Sequence, residues 1–302
     1  MRSGLNFSLV KQMSLAGLFL GICASLVPEA QAGTSGYRGL ILGDSPVVYY
    51  EFEETSGTTA FNSANTGSRY DGSFNLSRGP IAVNRPSFAQ GGASYDFGGG
   101  GDYGGVIVAS PLANSLTEWT VSLWVSYDSS KTAGSNFLSN DQLGWNNDVL
   151  IGIGPEEGTE VGRGQVGVVQ QGAPGAERDF AGAPLTAGKW HHIAVTGSTA
   201  SGKLSLFIDG VLAASDENLV NGVTFNGADG LGTASLNIGA SRTDGLRPYD
   251  GLLDELAIFD HVLPPERIAA HAAAVPEPAT HALLALGALS IAGYALRRRT
   301  RK

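Results

Sequence analysis

Cysteine is almost missing from this chain. Its single copy, Cys23, sits inside an apolar run close to the start, so a chain trimmed after that run holds none. Disulfides, thiolate nucleophiles and cysteine-bound metals are thereby excluded from the body of the protein. Basic side chains are scarce as well. Residues 33–274 carry 12 Lys and Arg against 26 Asp and Glu, a net charge of −14. A body that acidic repels phosphate backbones, which argues against nucleic acid as a partner. The same excess suits solubility outside a cell or the binding of hard cations such as calcium. The EF-hand pattern, a GxSxG nucleophile elbow and a phosphate-binding P-loop are all absent. Gly162 to Gly167 spells GxGxxG, but Val168 to Gln171 continues as strand where that fingerprint requires a helix to open.

Both ends of the 302 residues have the composition of address labels. Arg2 and Lys11 precede an apolar run from Met13 to Val27, and Ala30-Gln31-Ala32 supplies the small residues a signal peptidase needs. Residues 1–32 are therefore expected to be a signal peptide removed after Ala32. The bulky Ile22 before Cys23 disfavours a lipoprotein signal. At the other end, His281 to Leu296 is a 16-residue apolar segment followed by Arg297, Arg298, Arg299, Arg301 and Lys302. As a helix it reaches about 24 Å, short of a hydrocarbon core of about 30 Å. It can insert if the arginines snorkel and the bilayer thins, with its C-terminus on the cytoplasmic side and the body outside.

Ahead of that segment stands Val275-Pro276-Glu277-Pro278-Ala279. The order Pro276-Glu277-Pro278, short apolar helix, basic cluster resembles the PEP-CTERM sorting signals of bacteria that make exopolysaccharide. The resemblance covers residues 275–302 and implies cleavage near the Pro-Glu-Pro step by an exosortase, after transient anchoring in the inner membrane. Two prolines flanking a glutamate prevent helix and sheet there, leaving an extended segment that a protease can bind.

Between the ends, residues 33–274 show alternation with a period of two and no long helical period. In Trp119 to Ser126 the odd positions are apolar and the even ones mostly polar, which reads as a half-buried strand. Lys203 to Asp209 repeats the pattern, and Asp209-Gly210 offers a tight hairpin turn into Val211 to Ala214. Further strands are expected over Val47–Glu53, Ser94–Phe97, Val106–Ala109, Val149–Ile153, Gln165–Gln170, Trp190–Thr196, Ser235–Gly239 and Leu252–Phe259. Only Pro264–Ala274 reads as helix, with prolines at its start and Glu266 in its first turn. Many short strands with glycine-rich turns predict one all-β domain, a two-sheet jelly-roll sandwich.

Five blocks give that expectation a family. They are Tyr49 to Ala60; Tyr95-Asp96-Phe97 with Gly101-Asp102-Tyr103; Trp119 to Trp124; Lys189 to Thr196 with Leu206 to Val211; and Tyr249 to Phe259. In this order they resemble the LamG-like jelly rolls of the concanavalin A-like lectin/glucanase superfamily. Glucanases of that superfamily carry Glu-x-Asp-x-Glu on one strand, a string this chain lacks. Its nearest substitutes are Glu51 with Glu53, on one strand face, and Asp254 with Glu255, on opposite faces. The resemblance implies a structural calcium where an early loop meets the last strand. Asn62 and Asn65 supply such a loop, Asp254 the strand residue, and Asp102 in the Gly98–Gly105 loop a second candidate.

His191 and His192 are neighbours on one strand and so face opposite ways. They read as fold positions. For sugar binding, aromatic rings matter more, because a ring offers a broad apolar surface while nearby polar groups orient the ligand. Trp145 lies in the loop-like Asp141 to Asp148 stretch beside Asn146 and is the preferred ligand contact. Trp124 lies on the polar side of its strand, with core packing as the competing role. The expected protein is exported and surface-sorted, binding a polysaccharide or another extracellular matrix component without catalysis. A glycoside hydrolase with carboxylates from different strands, and a purely structural surface protein, are the alternatives.

Overall fold

The alternating segments pair into two antiparallel sheets, seen in a computed structural model that describes residues 34–54, 56–74, 94–97, 106–108, 116–127, 134–140, 148–154, 164–171, 178–217, 236–241 and 247–274. In chain order the elements are α1 (Thr34–Gly43), β1 (Val48–Tyr50), β2 (Thr59–Ala60), β3 (Gly72–Phe74), β4 (Tyr95–Asp96), β5 (Val106–Val108), β6 (Glu118–Tyr127), β7 (Ser135–Ser139) and β8 (Asp148–Ile153). There follow β9 (Gln165–Gln171), β10 (Arg178–Pro184), β11 (His191–Ser198), β12 (Lys203–Ile208), β13 (Val211–Asp216), β14 (Leu236–Ile238), β15 (Gly251–Phe259) and α2 (Pro265–Ala273). The first sheet runs β1-β15-β6-β11-β12-β13, with β4 also on β15; the second runs β10-β9-β8-β7-β14-β5-β3-β2. The expected all-β jelly roll is what forms.

Between the sheets lies a core that period-two alternation dictates. From the first sheet come Val121, Leu123, Val125, Ile193, Val195, Leu204 and Leu206; from the second come Leu138, Ile151, Val166, Val168 and Ile238. Two glycines are fixed by this packing. A Cβ on Gly197 would lie 2.4 Å from the Trp119 indole, and one on Gly239 would lie 2.0 Å from the Phe97 ring, at a φ of +81° that favours glycine in any case.

Several expectations change. The first strand is only Val48–Tyr50, because Phe52 turns to a φ of 53° and breaks it, so Glu51 and Glu53 do not share a strand face. A second helix, α1, stands at Thr34–Gly43 beside the expected one. Tyr37 and Ile41, four residues apart, pack its inner face into a second apolar cluster with Trp124, Phe207, Phe259 and Ile268. Strands β6 and β12 are consequently buried on both faces rather than half-buried. The Asp209-Gly210 turn forms as expected, with φ of 51° and 78°. Among the described residues no helix is long and apolar enough to cross a membrane; the signal peptide, Pro276-Glu277-Pro278 and the 281–296 segment lie outside them.

Candidate functional site

The outer face of the first sheet carries titratable groups beneath the two helices. Trp124 on β6 pairs in register with His192 on β11 and Asp254 on β15. It is 6% exposed, and its indole N–H donates to the Tyr37 hydroxyl of α1 at 3.0 Å. This tryptophan thus serves as a packing residue under a helix. His192 Nε2 lies 2.9 Å from Ser122 Oγ, and its ring centroid is 6.3 Å from that of His271 on α2. Burial, with His271 as an added neighbour, pushes His192 down to about 3. Burial also lowers His271, although Asp44 pulls the other way. Neutral His271 donates from Nε2 to Asp44 Oδ2 at 2.7 Å, and Arg267 Nη2 donates to the same oxygen at 2.7 Å. Asp44, at the end of α1, thus ties the first helix to the last.

At the other flank of this face β15 is irregular. Its register with β6 shifts between Asp254 and Ala257, and Glu255 has a φ of 52°. A bulge re-aims side chains: Leu253 and Leu256 both enter the core, and the two acids between them no longer alternate. Asp254 stands in register with Trp124 and Glu255 meets Tyr49, two members of the helix-covered cluster, which corrects the expectation of opposite faces. The Tyr49 hydroxyl donates to Glu255 Oε2. Burial outweighs that hydrogen bond and raises Glu255 to about 8, with Glu51 and Glu53 adding repulsion. Glu51 accepts from Arg38 and, at 2.5 Å, from Ser63 Oγ.

Asn62, expected to hold calcium, does not fit it. Asn62 Oδ1 accepts the backbone N–H groups of Tyr49 and Ala64, and its Nδ2 donates to Thr66 Oγ1 and the Gly67 carbonyl. Its carboxamide is spent on shaping the loop. Asn65 is exposed and Asp254 fully buried. Among the described residues no group of three or more His, Cys, Asp or Glu is placed to hold a metal. Asp102 lies outside the described residues, as do Trp145, Asn146, Ala32, Pro276, Glu277 and Pro278. His191 and His192 are fold positions: His191 Nδ1 lies 2.8 Å from Asp209 Oδ2, and the His192 N–H donates to Asp209 Oδ1.

The second sheet offers a different chemistry. Leu236 and Ile238 face the core, so Asn237 between them faces outward, in register with Ser139. Asn136 stands opposite Gly152, where a Cβ would lie 2.2 Å from the Ser135 carbonyl oxygen, so the glycine is required by close backbone approach beside the carboxamide. Asn136, Asn140 and Asn237 are all buried, yet Asn136 Nδ2 and Oδ1, Asn140 Nδ2 and Asn237 Oδ1 have no hydrogen-bond partner among the described residues. Each such group is costly to leave unsatisfied. Asn136 and Asn140 come from β7 and its end, and the β7–β8 connection that follows contains Trp145 and Asn146. Sequence reasoning marked the β14 segment as a strand without singling out its asparagine. An Asn flanked by two inward apolar residues is the signal that was available.

Residues 98–269 match the model of the Concanavalin A-like lectin/glucanases superfamily. The chain belongs to that superfamily. Residues 274–299 match the PEP-CTERM protein-sorting motif, which supports export and a cell-surface or extracellular location. No curated protein matches the sequence. Among solved structures, this concanavalin A-like chain is similar to Domain 4 of AbnA, a GH43 extracellular arabinanase from Geobacillus stearothermophilus solved in complex with arabinotriose, at TM-score 0.52 and 20% identity, covering 76% of this chain and 98% of that one. It is also similar to the binding domain of Botulinum Neurotoxin DC in complex with SialylT, at TM-score 0.53 and 14% identity, covering 78% of this chain and 52% of that one. At these identities the likeness is one of fold.

Proposed function

We propose that this protein is a non-catalytic carbohydrate-binding module, exported, processed by signal peptidase and an exosortase, and sorted to the surface or matrix of an exopolysaccharide-producing bacterium. Its inner-membrane anchoring through residues 281–296 is transient. The observation that carries the binding reading is the pair of buried carboxamides on the outer face of the second sheet, Asn136 and Asn237, of which Asn136 Nδ2 and Oδ1 and Asn237 Oδ1 meet no partner among the described residues. A polyol supplies both hydrogen-bonding roles to such groups, and the Trp145 ring in the adjoining loop gives a sugar face its apolar partner. Asn146 beside it adds a further carboxamide. Calcium plays no part in this reading at Asn62, whose oxygen is engaged within its own loop.

A glycoside hydrolase is the second reading, favoured by Glu255. A carboxyl that burial raises to about 8 has the character of the general acid that hydrolysis uses. The test incubates the full chain with the producing cell's own exopolysaccharide, with calcium or a chelator, and records retention and release of short sugars. Retention without release, lost in Trp145→Ala and in Asn136→Leu, is the expected result. Release of short sugars that stops in Glu255→Gln would replace this reading with the hydrolase.

A further inference from the structure

The outer face of the first sheet is not covered along its whole width. Beyond the helices, the β11–β12–β13 end leaves a groove of about 400 Å³ between the β12–β13 hairpin and the start of α2. Its floor is built by strand register: Thr196 opposite Ser205, and Ser198 opposite Lys203. These residues share the face of His192 and Ala194, two and four positions earlier on β11. Phe207 closes the floor toward the covered end. Leu212 forms one wall and Val262 with Pro265 the other. Leu212 is 51% and Val262 37% exposed, so apolar surface faces solvent on both sides of a hydroxyl-lined trough. The hairpin is braced where Gly210 meets α2, since a Cβ there would lie 2.9 Å from Ala269.

The chemistry of the lining selects the occupant. Ser198 Oγ donates to Glu118 at 2.5 Å, whereas no hydrogen bond among the described residues engages the hydroxyls of Thr196 or Ser205. Lys203, the sole charged lining residue among the described residues, is already paired with Glu217 at 3.0 Å. Uncommitted hydroxyls between apolar walls, in an acidic body, suit a neutral polyol ring and disfavour a uronate or phosphate. A volume near 400 Å³ holds about one or two sugar rings.

We infer that this groove is a second glycan site, taking a neutral sugar segment on the sheet opposite the carboxamide pair, so that one domain bridges two polymer chains. The inference rests on the carbohydrate-binding reading above. Its test separates the two. The producing cell's exopolysaccharide is divided into neutral and uronate-containing fractions; beads carrying the unfractionated polymer capture the full chain, and capture of a fluorescent soluble fraction by the bound protein is then measured. The neutral fraction is expected to be captured. The Leu212→Asp/Val262→Asp variant is expected to keep bead retention and to lose second-chain capture at least tenfold. Thr196→Val, which removes one hydroxyl without changing side-chain size, is expected to reduce it several-fold. No bead retention by the wild-type chain overturns the carbohydrate reading and the groove with it. Retention with second-chain capture unchanged in both variants overturns the groove alone, and capture of the uronate fraction in preference overturns its neutral specificity.

Discussion

The two ends of one sheet face make an instructive pair. Strand β11 runs from His192, fully buried beneath α2, to Thr196 and Ser198 on the floor of an open groove. At the covered end every polar side chain sits in a low-dielectric setting, so imidazoles lose their charge and Glu255 holds its proton. At the open end Ser198 Oγ donates to Glu118, while the Thr196 hydroxyl has no hydrogen bond among the described residues. The difference arises from where two short helices lie, since the strand pattern is the same along β11. Stability is thus concentrated at one end and recognition chemistry at the other.

Truncation separates the ends most sharply. Trp124→Ala should cost about 3–5 kcal/mol in urea unfolding, because it opens a cavity under α1 and leaves Tyr37 without its donor. A Trp124→Ala protein of unchanged stability but lost polymer retention would instead make this residue a ligand platform. The helix tie comes next. Asp44→Ala should cost about 2 kcal/mol, since it removes charge-assisted bonds to Arg267 and His271. It should also raise hydrogen exchange in α1 before exchange rises in the sheets; uniform protection would show that the helices do not depend on this carboxylate.

The pH profile gives a smaller effect with a defined sign. His192 falls from 6.5 to about 3 on folding, so the unfolded chain binds the extra proton and stability is lost as pH drops below 6.5. Glu255 rises from 4.5 to about 8, so its contribution is complete below 4.5 and lost as pH climbs to 8. Between 4.5 and 6.5 the two slopes, each at most about 1.4 kcal/mol per pH unit, oppose one another. A plateau there, with loss on both sides, is expected in chemical denaturation. Glu255→Gln should remove the alkaline loss and leave the acid one. The smallest effect belongs to the open end: Leu212→Ala should alter stability by less than about 0.5 kcal/mol, and a larger loss would mean that the groove wall is part of the core.

Much of the sandwich was legible because inward and outward residues alternate along a strand wherever one face is buried. Trp119 to Ser126, Lys203 to Asp209 and the Asp209-Gly210 turn all carried that signal. Strands β2, β3 and β7 did not, being short or rich in Gly, Ser and Asn, and β10 did not, because Arg178-Asp179-Phe180-Ala181-Gly182-Ala183-Pro184 lacks apolar alternation. Helix α1 was hidden by Gly36, Gly39 and Gly43, which weaken helix propensity; it forms because Tyr37 and Ile41 gain burial against the sheet. The site was less legible than the fold. Asn62 has the right chemistry for a calcium ligand, and only its hydrogen bonds reveal that its oxygen is taken.

What the sequence determined by itself is therefore local and periodic: the all-β class, the hairpin at Asp209-Gly210, the body's acidity, the lack of a cysteine scaffold, and the Pro-Glu-Pro tail that matches a sorting motif. Composition and nearest neighbours suffice for these. Tertiary structure alone decided which polar side chains are buried and what they meet. The bulge that turns Glu255 toward Tyr49, the joining of Asp44 to residues more than 220 positions away, and the uncovered end of the first sheet depend on contacts between distant segments. Such contacts form through burial, and burial is a property of the packed chain rather than of any stretch within it.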